Sequence, residues 1–256
     1  AAYPHVTFVA RGERMQSLQS KGLILHSDYH GEIIATPEQV VSLDCMEAQD
    51  YIFVCVKNYS LDAVCDQMKH AVTGNTVLVP VMNGVNPGEI IRGRIPTVTV
   101  VDSLIYIVAF ANQDHSITQQ GDFAKLHIGI QNADEAQRRK MEEVSSILSG
   151  ANIDHEIAGD IELEIWRKYI LNCAYNVATA YYDNTIGQLR SDPVKAKEYE
   201  ALVEEAYRVA LEKGVKIMRQ HIDAILHRFY HELAEDATSS LQRDISAGKR
   251  SEIDVF

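Results

Sequence analysis

The sequence predicts an α/β protein with a Rossmann-like, doubly wound sheet in residues 1–160 and an all-helical domain in residues 161–256. Two observations support this division. In the first part, short apolar runs alternate with helical patterns, which favours parallel strands joined by right-handed crossovers. In the second part, apolar residues recur every three or four positions and runs of β-branched residues are almost absent, which is typical of packed helices.

Apolar runs and the residues that interrupt them mark the elements of the first part. They are, in chain order, a strand at Val6–Val9, a helix at Glu13–Ser20, a strand at Gly31–Ala35, a strand at Tyr51–Val56, a helix from Ser60, a strand at Thr76–Met82, and strands at Val98–Val101 and Leu104–Phe110. The runs at Tyr51–Val56 and Thr76–Met82 are apolar without alternation, as expected for strands that are covered on both faces.

Helical periodicity marks the second part. Helices are expected at Ile161–Tyr182, Asp192–Lys213, Met218–Ala234 and Thr238–Gly248. A serine or threonine near the start of the last segment is a suitable N-cap, because its side-chain oxygen can accept a hydrogen bond from a free backbone N–H group.

Charge and composition exclude several classes of protein. The net charge of -12 disfavours a general binder of nucleic acid or anionic membranes, which needs a positive face. The sequence has no run of 18 apolar residues, and its four cysteines form no C-x-x-C pair. Its histidines show no metal-binding pattern, so no metal site is predicted. The cysteine pattern and the lack of a long apolar run favour a cytoplasmic protein of the reducing compartment.

The helix expected at Ile161–Tyr182 carries a polar stripe. Lys168, Asn172 and Asn176 are spaced by four, so they share one face of a helix. An ammonium group followed on the same face by two carboxamides suits a small, oxygen-rich anionic substrate. The ammonium can donate a proton to a ketone oxygen, and the carboxamides can bind the remaining oxygens. A solvated helix face with hydrogen bonds to neighbouring helices explains the same spacing.

Polar residues also follow the strands and recur near the end of the chain. Arg11, Lys57 and Asn83 each come just after a predicted strand, where ligands of doubly wound sheets bind. An arginine at this place suits the 2′-phosphate of NADP, and a surface arginine at a turn is the alternative. Ser240 and Glu252 supply a hydroxyl and a carboxylate that could complete a polar pocket; a helix cap and a surface charge are the alternatives.

Five strings in this order resemble the ketopantoate reductase family across nearly the whole chain. They are VTFVARGER (Val6–Arg14), VCVKNYSL (Val54–Leu61), MNGV (Met82–Val85), WRKYILNCAYN (Trp166–Asn176) and TSSLQRDISAGKRSEID (Thr238–Asp254). The resemblance implies an NADPH-dependent reduction of 2-dehydropantoate to (R)-pantoate, a step of pantothenate and coenzyme A biosynthesis. It also implies a small-molecule 2-oxo acid as partner and is compatible with a homodimer.

The resemblance implies a role for each candidate residue. Lys168 matches the catalytic acid, and Glu252 matches an acidic residue needed for substrate binding and catalysis. The substrate-binding groups are Asn172, Asn176 and Ser240, and the cofactor-binding groups are Arg11, Lys57 and Asn83.

The sequence departs from the family's pattern in two ways. Ser60 stands where some members have a glutamine beside the 2′-phosphate, and no G-x-G-x-x-G turn occurs. Ala1–Tyr3 resembles the end of the helix that follows this turn, so the family's first strand and turn are expected to precede Ala1, and further helices to follow Phe256.

Two other functions are compatible with the same residues. One is a related dehydrogenase that acts on a different 2-oxo acid or an opine. The other is a non-catalytic binding protein of the same fold, against which the joint presence of Lys168 and Glu252 counts.

Overall fold

A computed structural model describes residues 5–256, so the helical end predicted for Ala1–Tyr3 lies outside the described residues. Tertiary contacts divide the chain into two compact units. The first unit comprises the chain up to Val56, then Ser60–Met82 and Asn86–Ile161. The second comprises Glu162–Phe256 together with two short segments, Lys57–Tyr59 and Asn83–Val85, each of which follows a strand of the first unit after two intervening residues.

Residues 5–161 contain ten strands and four helices. The strands are β1 (Thr7–Val9), β2 (Leu23–Ser27), β3 (Gly31–Ala35), β4 (Gln39–Val41), β5 (Tyr51–Val54), β6 (Val77–Pro80), β7 (Thr99–Val100), β8 (Asp102–Ala111), β9 (Ile117–Gly129) and β10 (His155–Ile157). The helices are α1 (Gly12–Lys21), α2 (Asn58–Gln67), α3 (Pro87–Arg94) and α4 (Glu135–Gly150), with short 3-10 turns at Leu43–Cys45 and Met68–Ala71.

The predicted α/β fold is confirmed, and the strands form three hydrogen-bonded sets. Strand β1 pairs with β4, and β5, β6 and β7 pair in that order; all three of these pairings are parallel. A third, mixed set has the order β10-β9-β2-β3, and β8 also pairs with β9. In this set β2–β3 and β8–β9 are antiparallel, so the strand predicted at Leu104–Phe110 belongs to a long hairpin rather than to a parallel crossover.

Burial explains why the strand predicted at Thr76–Met82 forms where it does. All four residues of β6 are buried, with Val77, Leu78 and Val79 fully so. Leu78 packs with Leu61 and Cys65 of α2, whereas Val77 and Val79 pack into a second cluster. The strand is therefore covered on both faces, as its uninterrupted apolar run indicates.

A glycine turns the chain from α1 into β2. Gly22 has a φ of +72°, and its N–H group donates to the Leu18 carbonyl oxygen at 3.0 Å. A β-carbon at this position would lie 2.7 Å from the Ala35 carbonyl oxygen. A larger residue would therefore strain the backbone and clash with the neighbouring strand β3.

The second unit is helical, as predicted. Its helices are α5 (Ile161–Tyr182), α6 (Ile186–Ser191), α7 (Pro193–Glu212), α8 (Arg219–His231) and α9 (Ser240–Ser246), followed by a 3-10 turn at Ile253–Val255. Asp192 caps α7 by accepting from the Val194 and Lys195 N–H groups. The rings of Tyr199 and Phe229 stack at 3.9 Å between centroids, and both are fully buried. These two rings join α7 to α8.

Candidate functional site

Lys168 is half-buried on α5 and contacts the segment that follows β6. Its Nζ atom donates a hydrogen bond to Asn83 Oδ1 at 3.1 Å. Loss of hydration lowers the pKa of the Lys168 ammonium to about 8. A lysine with this pKa can exchange its proton near neutral pH, which an ordinary surface lysine does only rarely.

The apolar faces of α5 fix the direction of its polar stripe. Ile170, Ala174 and Ala178 are almost completely buried in the core of the second unit. Trp166 packs edge-on against the ring of Tyr169, with 5.5 Å between ring centroids. Because these residues pack into the helical core, the stripe predicted from the spacing of Lys168, Asn172 and Asn176 lies on a different part of the helix surface.

The C-terminal end of the stripe connects α5 to α9. Asn176 is 4% exposed, and its Nδ2 atom donates to the Asn172 carbonyl oxygen at 3.0 Å. Its Oδ1 atom accepts from the Leu241 N–H group at 3.4 Å and from Ser240 Oγ at 3.5 Å. The Asn176 carboxamide thus holds two helices together. The Asn172 carboxamide is half-buried and forms no hydrogen bond within residues 5–256, so its polar ends can meet a ligand.

The two serines at the start of α9 have different surroundings. Ser239 is 1% exposed and caps the helix, because its Oγ atom accepts from the Gln242 N–H group at 3.0 Å. Thr179 Oγ1 of α5 donates to the same oxygen at 2.7 Å. Ser240 is exposed, beside Asn176. The capping role expected for this cluster belongs to Ser239, whereas the hydroxyl of the exposed Ser240 donates to Asn176 Oδ1.

Glu252 is a buried carboxylate at the start of α2. It is 8% exposed, and its Oε1 atom accepts from the Asn58 N–H group at 2.7 Å. Its Oε2 atom accepts from Lys57 Nζ at 3.1 Å. Asn58 is the first residue of α2, so the carboxylate also lies at the positive end of that helix dipole. Both oxygens are therefore engaged by groups that favour the negative charge.

Lys57 lies between two carboxylates. Its Nζ atom donates to Asp244 Oδ2 at 3.0 Å in addition to Glu252. Burial opposes the charge of the ammonium, but the hydrogen bond to Asp244 and the attraction of Glu252 outweigh it and raise the pKa of Lys57. In this arrangement Lys57 keeps its positive charge, which is compensated by two carboxylates of the second unit.

A continuous set of hydrogen bonds joins these residues. Asn58 Nδ2 donates to the Asn83 carbonyl oxygen at 2.5 Å, and Asn83 Oδ1 accepts from Lys168. We call the set formed by Lys168, Asn83, Asn58, Glu252, Lys57 and Asp244 the Lys168–Glu252 network. Sequence reasoning missed Asn58 and Asp244. The available signals were that Asn58 directly follows Lys57 and that both Asn58 and Asp244 lie within strings that resemble the family.

Arg11 belongs to the first unit, between β1 and α1. Its backbone is extended, its carbonyl oxygen accepts from the Met15 N–H group at 3.4 Å, and the residue is exposed. The guanidinium forms no hydrogen bond or ion pair within the part of the chain that the structure describes. An exposed guanidinium at the carboxyl end of a parallel strand can pair with a phosphate in a planar, two-point contact.

Neither membrane-spanning helices nor metal clusters are found among residues 5–256. None of the described helices combines the length and apolar character needed to cross a bilayer. The same residues contain no group of three or more His, Cys, Asp or Glu side chains placed to hold a metal ion. His227 and His231 of α8 come closest to helical ligand spacing, with ring centroids 4.6 Å apart.

Comparison with protein-family models gives two matches that together span most of the chain. The model described as ketopantoate reductase PanE/ApbA matches residues 1–133. The model described as ketopantoate reductase PanE/ApbA C terminal matches residues 160–256. The second match includes the whole polar stripe of α5 and the segment that carries Glu252.

Individual relatives and solved structures agree with these matches at low identity. An uncharacterized oxidoreductase, YkpB, of Bacillus subtilis is 25% identical over 97% of this chain and 80% of its own length. A 2-dehydropantoate 2-reductase of Archaeoglobus fulgidus is 26% identical over 98% of this chain and 80% of its own length.

Two solved structures share the fold. A ketopantoate reductase of Ralstonia eutropha superposes with a TM-score of 0.87 and 23% identity, covering 99% of this chain and 81% of that one. A D-mandelate dehydrogenase in complex with NADH and anilino(oxo)acetate superposes with a TM-score of 0.85 and 18% identity, covering 99% and 82%.

Proposed function

The chain belongs to the ketopantoate reductase PanE/ApbA family of oxidoreductases, and from this premise we propose that it reduces 2-dehydropantoate to (R)-pantoate with NADPH. The observation that carries the proposal is the hydrogen bond between Lys168 and Asn83, made by a lysine whose pKa is lowered to about 8. Curated relatives with the name 2-dehydropantoate 2-reductase support the choice of substrate. The product would enter pantothenate and coenzyme A biosynthesis.

Lys168 would act as the general acid of this reduction. When bound, the nicotinamide supplies a hydride for C2 of the 2-oxo acid. The Lys168 ammonium donates its proton to the C2 oxygen and becomes a neutral amine. Asn83 orients the ammonium through its Oδ1 atom, and the Asn172 carboxamide can bind an oxygen of the substrate. We assign Ser240 and Asn176 to the same substrate site, with Asn176 also holding Ser240 in place.

The residues present fit part of a nicotinamide dinucleotide. Arg11 offers an exposed guanidinium for the 2′-phosphate, and we assign Lys57 and Asn83 to the same cofactor. Lys57 can contribute only its remaining N–H donor while it contacts Asp244 and Glu252. The 256 residues contain no G-x-G-x-x-G motif, so the groups that would hold a pyrophosphate are not identified among them.

Replacing Arg11 with alanine should change the preference between the two nicotinamide cofactors. We expect the KM for NADPH to rise by about 10- to 100-fold, because the phosphate loses a charged two-point partner. The KM for NADH should change little. Arg139→Ala is a matched control, since Arg139 is an exposed arginine of the same unit and pairs only with Glu135 of its own helix among the described residues. Equal changes for both cofactors would contradict the role of Arg11.

The substrate is tested by the rate of NADPH oxidation with a panel of 2-oxo acids. We expect the highest kcat/KM with 2-dehydropantoate. A higher value with another 2-oxo acid, or with the substrates of an opine dehydrogenase, would replace our proposal by the related dehydrogenase; the shared fold of D-mandelate dehydrogenase makes an aromatic 2-oxo acid the first competitor to include. No turnover with any of them would favour a non-catalytic binding protein.

Two further expectations stay predictions. All four cysteines are free, which is compatible with the cytoplasmic location that we propose. We also propose a homodimer, and a measurement of mass in solution, for example by sedimentation equilibrium, tests it.

A further inference from the structure

Asp244 is the charged member of the Lys168–Glu252 network for which neither the sequence nor the proposed reaction supplies a role. It lies on α9, and its Oδ2 atom accepts from Lys57 Nζ at 3.0 Å, while Glu252 Oε2 accepts from the same ammonium at 3.1 Å. The side chains are 43% exposed for Lys57, 23% for Asp244 and 9% for Glu252. The ammonium is thus held between one half-buried and one buried carboxylate.

We propose that Asp244 is a positioning residue that holds Lys57 against Glu252 and thereby fixes the hydrogen bonds that orient Lys168. The inference rests on the proposed function, because the group that it finally positions is the proposed general acid. Asp244 itself need not touch substrate or cofactor.

The first step of the argument concerns the charge of Glu252. A buried carboxylate is costly unless a cation and hydrogen-bond donors compensate it. Lys57 is the cation, but it has a long, flexible side chain that is nearly half exposed, so water competes for its ammonium. A second carboxylate on the other side of the ammonium restricts Lys57 to the position that compensates Glu252.

The second step follows the hydrogen bonds from Glu252 to the acid. The Oε1 atom of Glu252 fixes the Asn58 N–H group at 2.7 Å. The Asn58 side chain then fixes the Asn83 carbonyl oxygen at 2.5 Å, and Asn83 Oδ1 receives the Lys168 ammonium. A displaced Glu252 would therefore loosen Asn83, which is two hydrogen bonds away from Glu252 and itself orients Lys168.

A purely local role of Asp244 in α9 does not explain its position. Asp244 is the fifth of the seven residues of α9, near the negative end of the helix dipole, where an acidic side chain is destabilising. The backbone contact in which its carbonyl oxygen accepts from the Lys249 N–H group does not need a carboxylate side chain. The side chain is instead explained by its contact with Lys57.

The catalytic test is a double-mutant cycle with the whole chain at saturating NADPH. Asp244→Asn should lower kcat by about tenfold with a smaller change in the KM of the 2-oxo acid, and Asp244→Glu should restore part of the loss. In a Lys57→Met background, Asp244→Asn should have almost no further effect, because the contact is already absent. Asp236→Asn is the control, since it makes the same charge change at an exposed position of the same unit. Additive effects of the two substitutions would overturn the positioning role.

A second measurement separates this inference from the proposed function. The titration of the Lys57 ammonium, followed by NMR of its ¹³Cε signal in the ligand-free protein, needs no turnover; the Lys57→Met variant assigns the signal. Asp244→Asn should lower the pKa of Lys57, and Asp236→Asn should not. An unchanged pKa in Asp244→Asn would overturn the inference even if the protein is an active reductase. If Asp244→Asn lowers the pKa of Lys57 as expected but the wild-type protein reduces no 2-oxo acid, the contact between Asp244 and Lys57 is retained. The proposed function and the catalytic part of this inference would then both be overturned.

Discussion

Lys168→Ala should lower kcat by about 10²- to 10⁴-fold, the range typical for the loss of a positioned general acid. The physical reason is that alanine leaves the C2 oxygen of the substrate without a proton donor, while the Asn83 carboxamide that orients the ammonium remains. Stopped-flow measurement of NADPH oxidation in a single turnover reports the reduction step itself. KM should change less than kcat, because the interaction is strongest in the transition state.

The control for this experiment is Lys197→Ala. Lys197 is an exposed lysine of α7 in the same unit, so the substitution removes the same charge without touching the network. Its kcat should equal that of the wild type. A Lys168→Ala variant with wild-type kcat would leave the reductase without its proposed acid.

The same lysine sets the expected pH dependence. Because its pKa is lowered to about 8, Lys168 is protonated below that pH and increasingly neutral above it. As only the protonated form can donate, kcat/KM should be retained below pH 8 and fall as the pH rises through that value. The fall should be absent from the residual activity of Lys168→Ala. A profile that rises above pH 8 would contradict the assignment of Lys168 as the acid.

Glu252→Gln should have the second-largest effect, a loss of about 10²-fold in kcat/KM. Glutamine keeps the shape and can still accept from the Asn58 N–H group, but it removes the charge that attracts Lys57. Glu252→Ala should additionally leave the Asn58 N–H group without its acceptor. We therefore expect the Tm to fall further for alanine than for glutamine, with a free-energy difference of about 1–2 kcal/mol between the two variants.

Glu212→Gln provides the comparison for Glu252. Glu212 is exposed at the end of α7, and its substitution changes the net charge by the same amount. Both kcat/KM and Tm should stay at the wild-type value. If Glu252→Gln kept the kcat/KM of Glu212→Gln and differed from it only in Tm, the buried carboxylate would have no part in catalysis and the network would be structural only.

Much of the fold was predictable because its signals are local. The buried run of β6 and the helical periodicity of α5 each show their surroundings in a few adjacent residues. Strand β9 was missed because Gln119, Gln120 and Gly121 interrupt its apolar pattern, and its partner β8 shifts register between Tyr106 and Val108. The antiparallel pairing of this hairpin depends on contacts between strands, which a single strand's composition does not encode.

The candidate site was predictable only in part for the same reason. The stripe formed by Lys168, Asn172 and Asn176 follows from helix geometry, since residues spaced by four share a face. The contact between Lys57 and Glu252 joins residues 195 positions apart, and that between Lys57 and Asp244 joins residues 187 apart. No spacing rule relates such residues, so their association emerged only from the folded chain.

The two segments that join the helical unit determine where this protein can be recombined with its relatives. Lys57–Tyr59 and Asn83–Val85 come from the first third of the chain, yet they pack with residues beyond 161. A chimaera that exchanged only residues 162–256 would pair a foreign Glu252 equivalent with the native Lys57 and Asn58. Exchanged blocks should therefore include these short segments together with the helices. Glu252 contacts Lys57 and Asn58 in the folded protein although they are far apart in sequence, so the three residues should come from the same parent.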